Sequence, residues 1–107
     1  MEARNTPRQR ILIVDDEPHI RRLLATRLQA EGYDVGEACD GEDALLMLPD
    51  FDPDLVILDL MMPGANGFEV LSRIRADSER SAVPVIILTG KGQDGDRDLA
   101  MAGGASD

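Results

Sequence analysis

The stretch Leu55-Val56-Ile57-Leu58-Asp59, continued by Leu60-Met61-Met62-Pro63-Gly64-Ala65-Asn66-Gly67, decides how the rest of the chain is read. Four aliphatic residues lead straight into a carboxylate. A continuous apolar run bounded by turn residues predicts a strand buried on both faces, as in a parallel sheet. Open α/β sheets bind their ligands in the crevice beyond the carboxyl ends of the strands. Asp59 falls at such a strand end, and an acid after four buried aliphatics is costly without a purpose. Pro63, Gly64 and Gly67 then force a loop. Asp59 is therefore the leading candidate for a reactive carboxylate.

Outward from this stretch, strands and helices alternate. Residues 10–14 form a short apolar strand that ends at Asp15-Asp16. Pro18 suits the first turn of a helix, with Ile20, Leu23, Leu24 and Leu28 inward, Arg21, Arg22 and Arg27 outward, and Gly32 as its stop near Glu31. Residues 33–38 alternate as an edge or half-exposed strand does. Asp40 caps a helix over 41–48, with Ala44, Leu45 and Leu48 as its inner face and Pro49 as its end. Asn66 caps a third helix that turns Phe68, Leu71 and Ile74 inward. A fourth strand over 85–88 follows Pro84 and ends at Thr89; residues 90–95 read as a loop and 96–101 as a short helix broken by Gly103-Gly104. This alternation predicts an α/β domain with a parallel sheet and right-handed crossovers. Residues 1–9 read as a flexible lead-in, and no repeat, linker or low-complexity tract is visible.

Bulk composition narrows the function classes. The 107 residues suffice for one modest domain, with 43% hydrophobic residues and few aromatics, so the core is aliphatic. A formal charge of −10 argues against direct nucleic-acid binding, which needs clustered Lys and Arg, and is compatible with a metal cation or a basic partner. Cys39 is the single cysteine, which excludes an intrachain disulfide and argues against a cysteine metal site. No signal peptide or transmembrane run is present, so a cytoplasmic location is the expectation.

Three predicted strands end in polar residues: Asp15-Asp16, Asp59 and Thr89. A parallel sheet gathers these ends on one edge. Three carboxylates held close repel one another unless a cation sits among them, and hard oxygen donors suit Mg²⁺. A carboxylate beside that ion can attack phosphorus to give an acyl phosphate, and a threonine hydroxyl can donate to a phosphoryl oxygen.

The segments Ile-Val-Asp-Asp-Glu-Pro (13–18), Leu-Asp-Leu-Met-Met-Pro-Gly-Ala-Asn-Gly (58–67) and Pro-Val-Ile-Ile-Leu-Thr-Gly (84–90) together resemble the receiver domain of two-component response regulators. The resemblance covers residues 10–107. It implies a doubly wound, flavodoxin-like parallel sheet of strand order 2-1-3-4-5. It implies that Asp59 accepts a phosphoryl group from a sensor kinase phosphohistidine or a phosphotransfer protein. It further implies that Asp16, Asp59 and the backbone carbonyl of Met61 ligate Mg²⁺ directly, that Asp15 acts through water, and that Thr89 is the switch hydroxyl. A receiver assists its own phosphorylation and dephosphorylation and is not otherwise an enzyme.

The chain also departs from the family pattern. Receivers carry a lysine, followed by proline, at the end of a fifth strand, and a switch residue within that strand. Residues 104–107 fall where that strand would begin, so the fifth strand and helix are expected to be missing from this chain. Lys91 lies in a different loop and does not match the family's lysine. Missing pairing would leave the fourth strand an open apolar edge, with self-association expected, and there is room for an output domain beyond residue 107. Lacking that lysine, the chain itself is expected to bind Mg²⁺ but to phosphorylate and signal poorly.

Three plainer or rival readings stand beside this one. Asp15 and Asp16 can be helix caps alone, and His19 a surface residue. An aspartyl phosphohydrolase of the haloacid dehalogenase type wants a second Asp two residues after its nucleophile, where this chain has Met61. A receiver-like interaction module without phosphotransfer is the third.

Overall fold

The computed structural model describes residues 9–59, 67–78 and 81–88. Within them lie four strands, β1 (Arg10–Val14), β2 (Asp34–Ala38), β3 (Leu55–Asp59) and β4 (Val85–Leu88), and three helices, α1 (Pro18–Ala30), α2 (Gly41–Phe51) and α3 (Gly67–Ala76). The strands form one parallel sheet in the order β2-β1-β3-β4, the order expected. The expected loop at 90–95, the helix at 96–101 and the Asn66 cap lie outside the described residues.

The apolar runs behave as the pattern requires. Leu12, Val14, Val56 and Leu58 are fully buried on one side of the sheet, where α2 and α3 add Ala44, Leu48, Val70, Leu71 and Ile74. Ile11, Ile13 and Ile57 face the other side, where α1 supplies Ala25, Leu24 and Leu28. The period-2 alternation of each central strand thus feeds two aliphatic layers.

Two helix readings need correction. Helix α1 was expected to bury Ile20 and Leu23, yet these are 47% and 70% exposed. The inward set is Arg21, Leu24, Ala25 and Leu28, at helical spacing, because the small Ala25 is the residue that fits flat against the sheet. Helix α2 was expected to stop at Pro49 but runs on to Phe51. Proline forfeits one helical hydrogen bond; here the last turn is held by the Asp52 N–H on the Leu48 carbonyl, with Asp52 in the left-handed region at φ 50°. Phe51 also gains a seat over Gly36 in β2. A Cβ on Gly36 would lie 3.1 Å from that ring and 3.2 Å from the Met47 methyl, so the close approach of α2 requires glycine there.

Other local expectations hold. The Asp40 carboxylate accepts the Asp43 N–H at 2.8 Å as the cap of α2. Gly32, at φ +100°, ends α1 with its N–H on the Gln29 carbonyl.

Candidate functional site

Register brings the acids together. Val14 pairs with Leu58 across β1 and β3, so the next residues, Asp15 and Asp59, stand side by side at the carboxyl edge of the sheet. Asp15, Asp16 and Asp59 each offer a carboxylate oxygen, and these oxygens all lie within 4.8 Å of one another. Asp15 is 3% exposed, Asp59 half-buried and Asp16 exposed.

The donor set fits a small hard cation. Octahedral Mg²⁺ takes oxygens at about 2.1 Å, so two ligands on opposite sides stand about 4.2 Å apart. Oxygens within 4.8 Å therefore need only a small contraction, or an intervening water, to share one ion. The Asp15 carboxylate accepts the Glu17 N–H at 2.9 Å and has no basic side chain on it among the described residues. A buried carboxylate beside two others is electrostatically unfavourable without a cation.

The capping explanation of the Asp pair is removed by α1 itself. Its N-cap is Glu17, whose carboxylate accepts the His19 N–H at 2.9 Å. His19 is exposed, as expected of a surface residue. Of the predicted site residues, Asp15, Asp16 and Asp59 converge, while Met61 and Thr89 lie outside the described residues. Leu88 pairs with Asp59, so the described part of β4 ends one residue before Thr89.

Two residues near the site escaped the sequence reading. Arg21, expected on the solvated face, is half-buried and donates from Nη1 to the Asp15 carbonyl at 2.7 Å and from Nε to Glu37 at 3.2 Å. Glu37 also receives Arg22 through its other oxygen. The available signal was the alternation of β2, which puts Glu37 on the same face as Val35, toward α1.

The response regulator receiver domain model matches residues 11–107. The chain belongs to that family. It is 45% identical over 103 residues to the DNA-binding response regulator MtrA of Mycolicibacterium smegmatis, covering 96% of this chain and 44% of that protein. It is 43% identical to the transcriptional regulatory protein ResD of Bacillus subtilis, covering 95% of this chain and 41% of that protein. The chain thus spans less than half the length of these curated relatives. Among solved structures, the chemotaxis protein CheY4 of Vibrio cholerae superimposes with a TM-score of 0.88 at 32% identity, covering 92% of this chain and 82% of that one. As a receiver, the chain belongs among phosphoacceptor signalling modules and carries the acidic cluster typical of their metal site. Among the described residues no helix is long and apolar enough to cross a membrane.

Proposed function

We propose that Asp59 is the phosphoacceptor of this receiver and that Mg²⁺ is its cofactor. The carrying observation is the convergence of Asp15, Asp16 and Asp59 from two strand ends to within 4.8 Å, in a chain of this family. The boundary of the functional unit is residues 10–107, with 1–9 as lead-in. Asp16 and Asp59, with the Met61 carbonyl, would hold the ion directly and Asp15 through water. Bound there, the cation neutralises the carboxylates and the incoming phosphoryl oxygens.

The remaining chemistry belongs to the side chains. An Asp59 oxygen forms a bond to phosphorus, the phosphorus–nitrogen bond of a sensor kinase phosphohistidine breaks, and the electron pair stays on the imidazole. Thr89 donates its hydroxyl to a phosphoryl oxygen and moves toward it, which changes the surface beside β4. The names of the relatives support an output domain that acts in transcription, with the DNA contacts made there and not by this acidic module.

The test is intact-mass measurement after incubation with Mg²⁺ and a small phosphodonor. One phosphoryl adduct is expected in the unaltered chain, and none in Asp59→Asn or with the metal chelated. An unchanged adduct in Asp59→Asn would falsify the assignment, and continuous turnover of a phosphoester would instead favour a phosphohydrolase.

A further inference from the structure

We propose that Arg21, aimed by Glu37, is a positioning residue for the acidic centre: it fixes the peptide between Asp15 and Asp16 so that both carboxylates face one cation. The inference rests on the metal-binding reading above and adds a residue to it.

Asp16 is exposed, so side-chain packing does not place it. Its position depends on the peptide plane that precedes it. That plane is held through Asp15 at three points. The Asp15 N–H donates to the Ala38 carbonyl at 3.2 Å, which extends the pairing of β1 with β2 by one residue. The Asp15 carboxylate accepts the Glu17 N–H at 2.9 Å. The Asp15 carbonyl accepts Arg21 Nη1 at 2.7 Å. The third bond bears most directly on Asp16, because turning that carbonyl swings the next Cα.

Arg21 can hold the carbonyl because its guanidinium is held in turn. Nε donates to Glu37 Oε1 at 3.2 Å, and the side chain is only 16% exposed. Glu37 is anchored from the other side by Arg22 on Oε2. A rigid planar fork satisfies two acceptors at fixed separation, which a lysine ammonium on a flexible stem does not. Among the described residues neither arginine pairs with a carboxylate of the acidic trio. Their role is therefore one of geometry rather than charge neutralisation.

Three variants of the full chain separate these roles. Arg21→Lys keeps the charge and loses the fork. Glu37→Ala loses the acceptor that aims it. Glu37→Gln loses the charge and keeps an amide oxygen for the Nε–H. Mg²⁺ affinity, measured by calorimetry, is expected to fall about tenfold in Arg21→Lys and in the same direction in Glu37→Ala, a size usual for groups that orient metal ligands. Glu37→Gln is expected to stay within about twofold of the unaltered chain. Amide exchange of Glu17 in the metal-free protein, whose N–H lies in the next peptide and is held by the Asp15 carboxylate, reads the order of this turn without metal or activity. It is expected to quicken in Arg21→Lys and Glu37→Ala and to hold in Glu37→Gln, with urea unfolding confirming that each variant folds. Unweakened Mg²⁺ binding or unchanged Glu17 exchange in Arg21→Lys overturns the role, as does Glu37→Gln behaving like Glu37→Ala. Failure of the unaltered chain to bind Mg²⁺ sinks the metal reading itself and this role with it, and is recognised because the defect precedes any substitution.

Discussion

The two ends of the sheet hold their acids in opposite ways. At the amino end, the Arg10 N–H donates to the Asp54 carboxylate at 2.8 Å and the Asp54 N–H donates to the Arg10 carbonyl at 2.7 Å. Arg10 also reaches the Phe51 carbonyl through Nη1 at 3.1 Å. Every charge in that exchange ties β1 to the start of β3 and the end of α2. At the carboxyl end, the same two strands deliver Asp15, Asp16 and Asp59 to within 4.8 Å of one another. One end uses an acid to close the fold; the other gathers three carboxylates whose mutual repulsion a bound cation relieves. Acids at the two ends of the same strands are therefore expected to differ in the sign of their effect on stability.

The largest test of this contrast is metal addition. A ligand that binds only the folded state stabilises it by about 2.7 kcal/mol at a concentration of one hundred dissociation constants. Mg²⁺ is expected to raise the unfolding free energy of the chain by that order, read as a higher urea midpoint. In Asp16→Asn the gain should largely vanish, while the metal-free protein becomes more stable by about 1 kcal/mol for each like-charge pair relieved, with Asp15 and with Asp59, the Coulomb energy at this spacing in a watery dielectric. A metal-free Asp16→Asn less stable than the unaltered chain would break the comparison.

The amino end is expected to show the reverse sign and a smaller effect. Asp54→Ala removes the acceptor of the Arg10 N–H and should lower stability by about 1 kcal/mol. The loss should be the same with and without Mg²⁺, because this end lies a full strand length from the acidic trio. Unfolding curves in which the Asp54→Ala loss depends on Mg²⁺ would show that the two ends are coupled.

Much of this architecture was legible because strands announce themselves by continuous aliphatic runs and by the acids that stop them. Residues 10–16 and 55–59 specified both the parallel sheet and its functional edge. The face of α1 was misjudged because Ile20 and Leu23 outrank Ala25 in hydrophobicity, whereas contact with a sheet selects the small residue and leaves larger ones on the flank. The continuation of α2 past Pro49 depended on Phe51 finding Gly36 in a strand far along the chain, a tertiary gain that no local rule contains. Arg21 escaped for a related reason. A cation on an amphipathic helix is assigned to solvent by default, and its inward turn here follows from Glu37 on another element.

The smallest effect concerns Cys39, which follows β2 at the same carboxyl edge and is exposed. Its N–H donates to the Asp43 carboxylate at 3.1 Å. The thiol is raised above its ordinary value of 9.0, first by local desolvation and then by the negative charges of Asp40 and Asp43, which oppose a thiolate. Thiolate is the reactive form, so alkylation of this single cysteine should be slower in the folded chain than in the urea-unfolded one below pH 9.0. The rate should reach half its maximum at a higher pH, and Asp43→Asn should bring that pH down. The sign for stability follows from proton counting. Above the unfolded value the folded state holds the thiol proton longer, so the contribution is present below pH 9.0 and is lost as pH rises through the folded value. Equal alkylation profiles for folded and unfolded chains would show that the negative field of this edge does not extend to Cys39, confining the charge contrast between the two ends to the acidic trio.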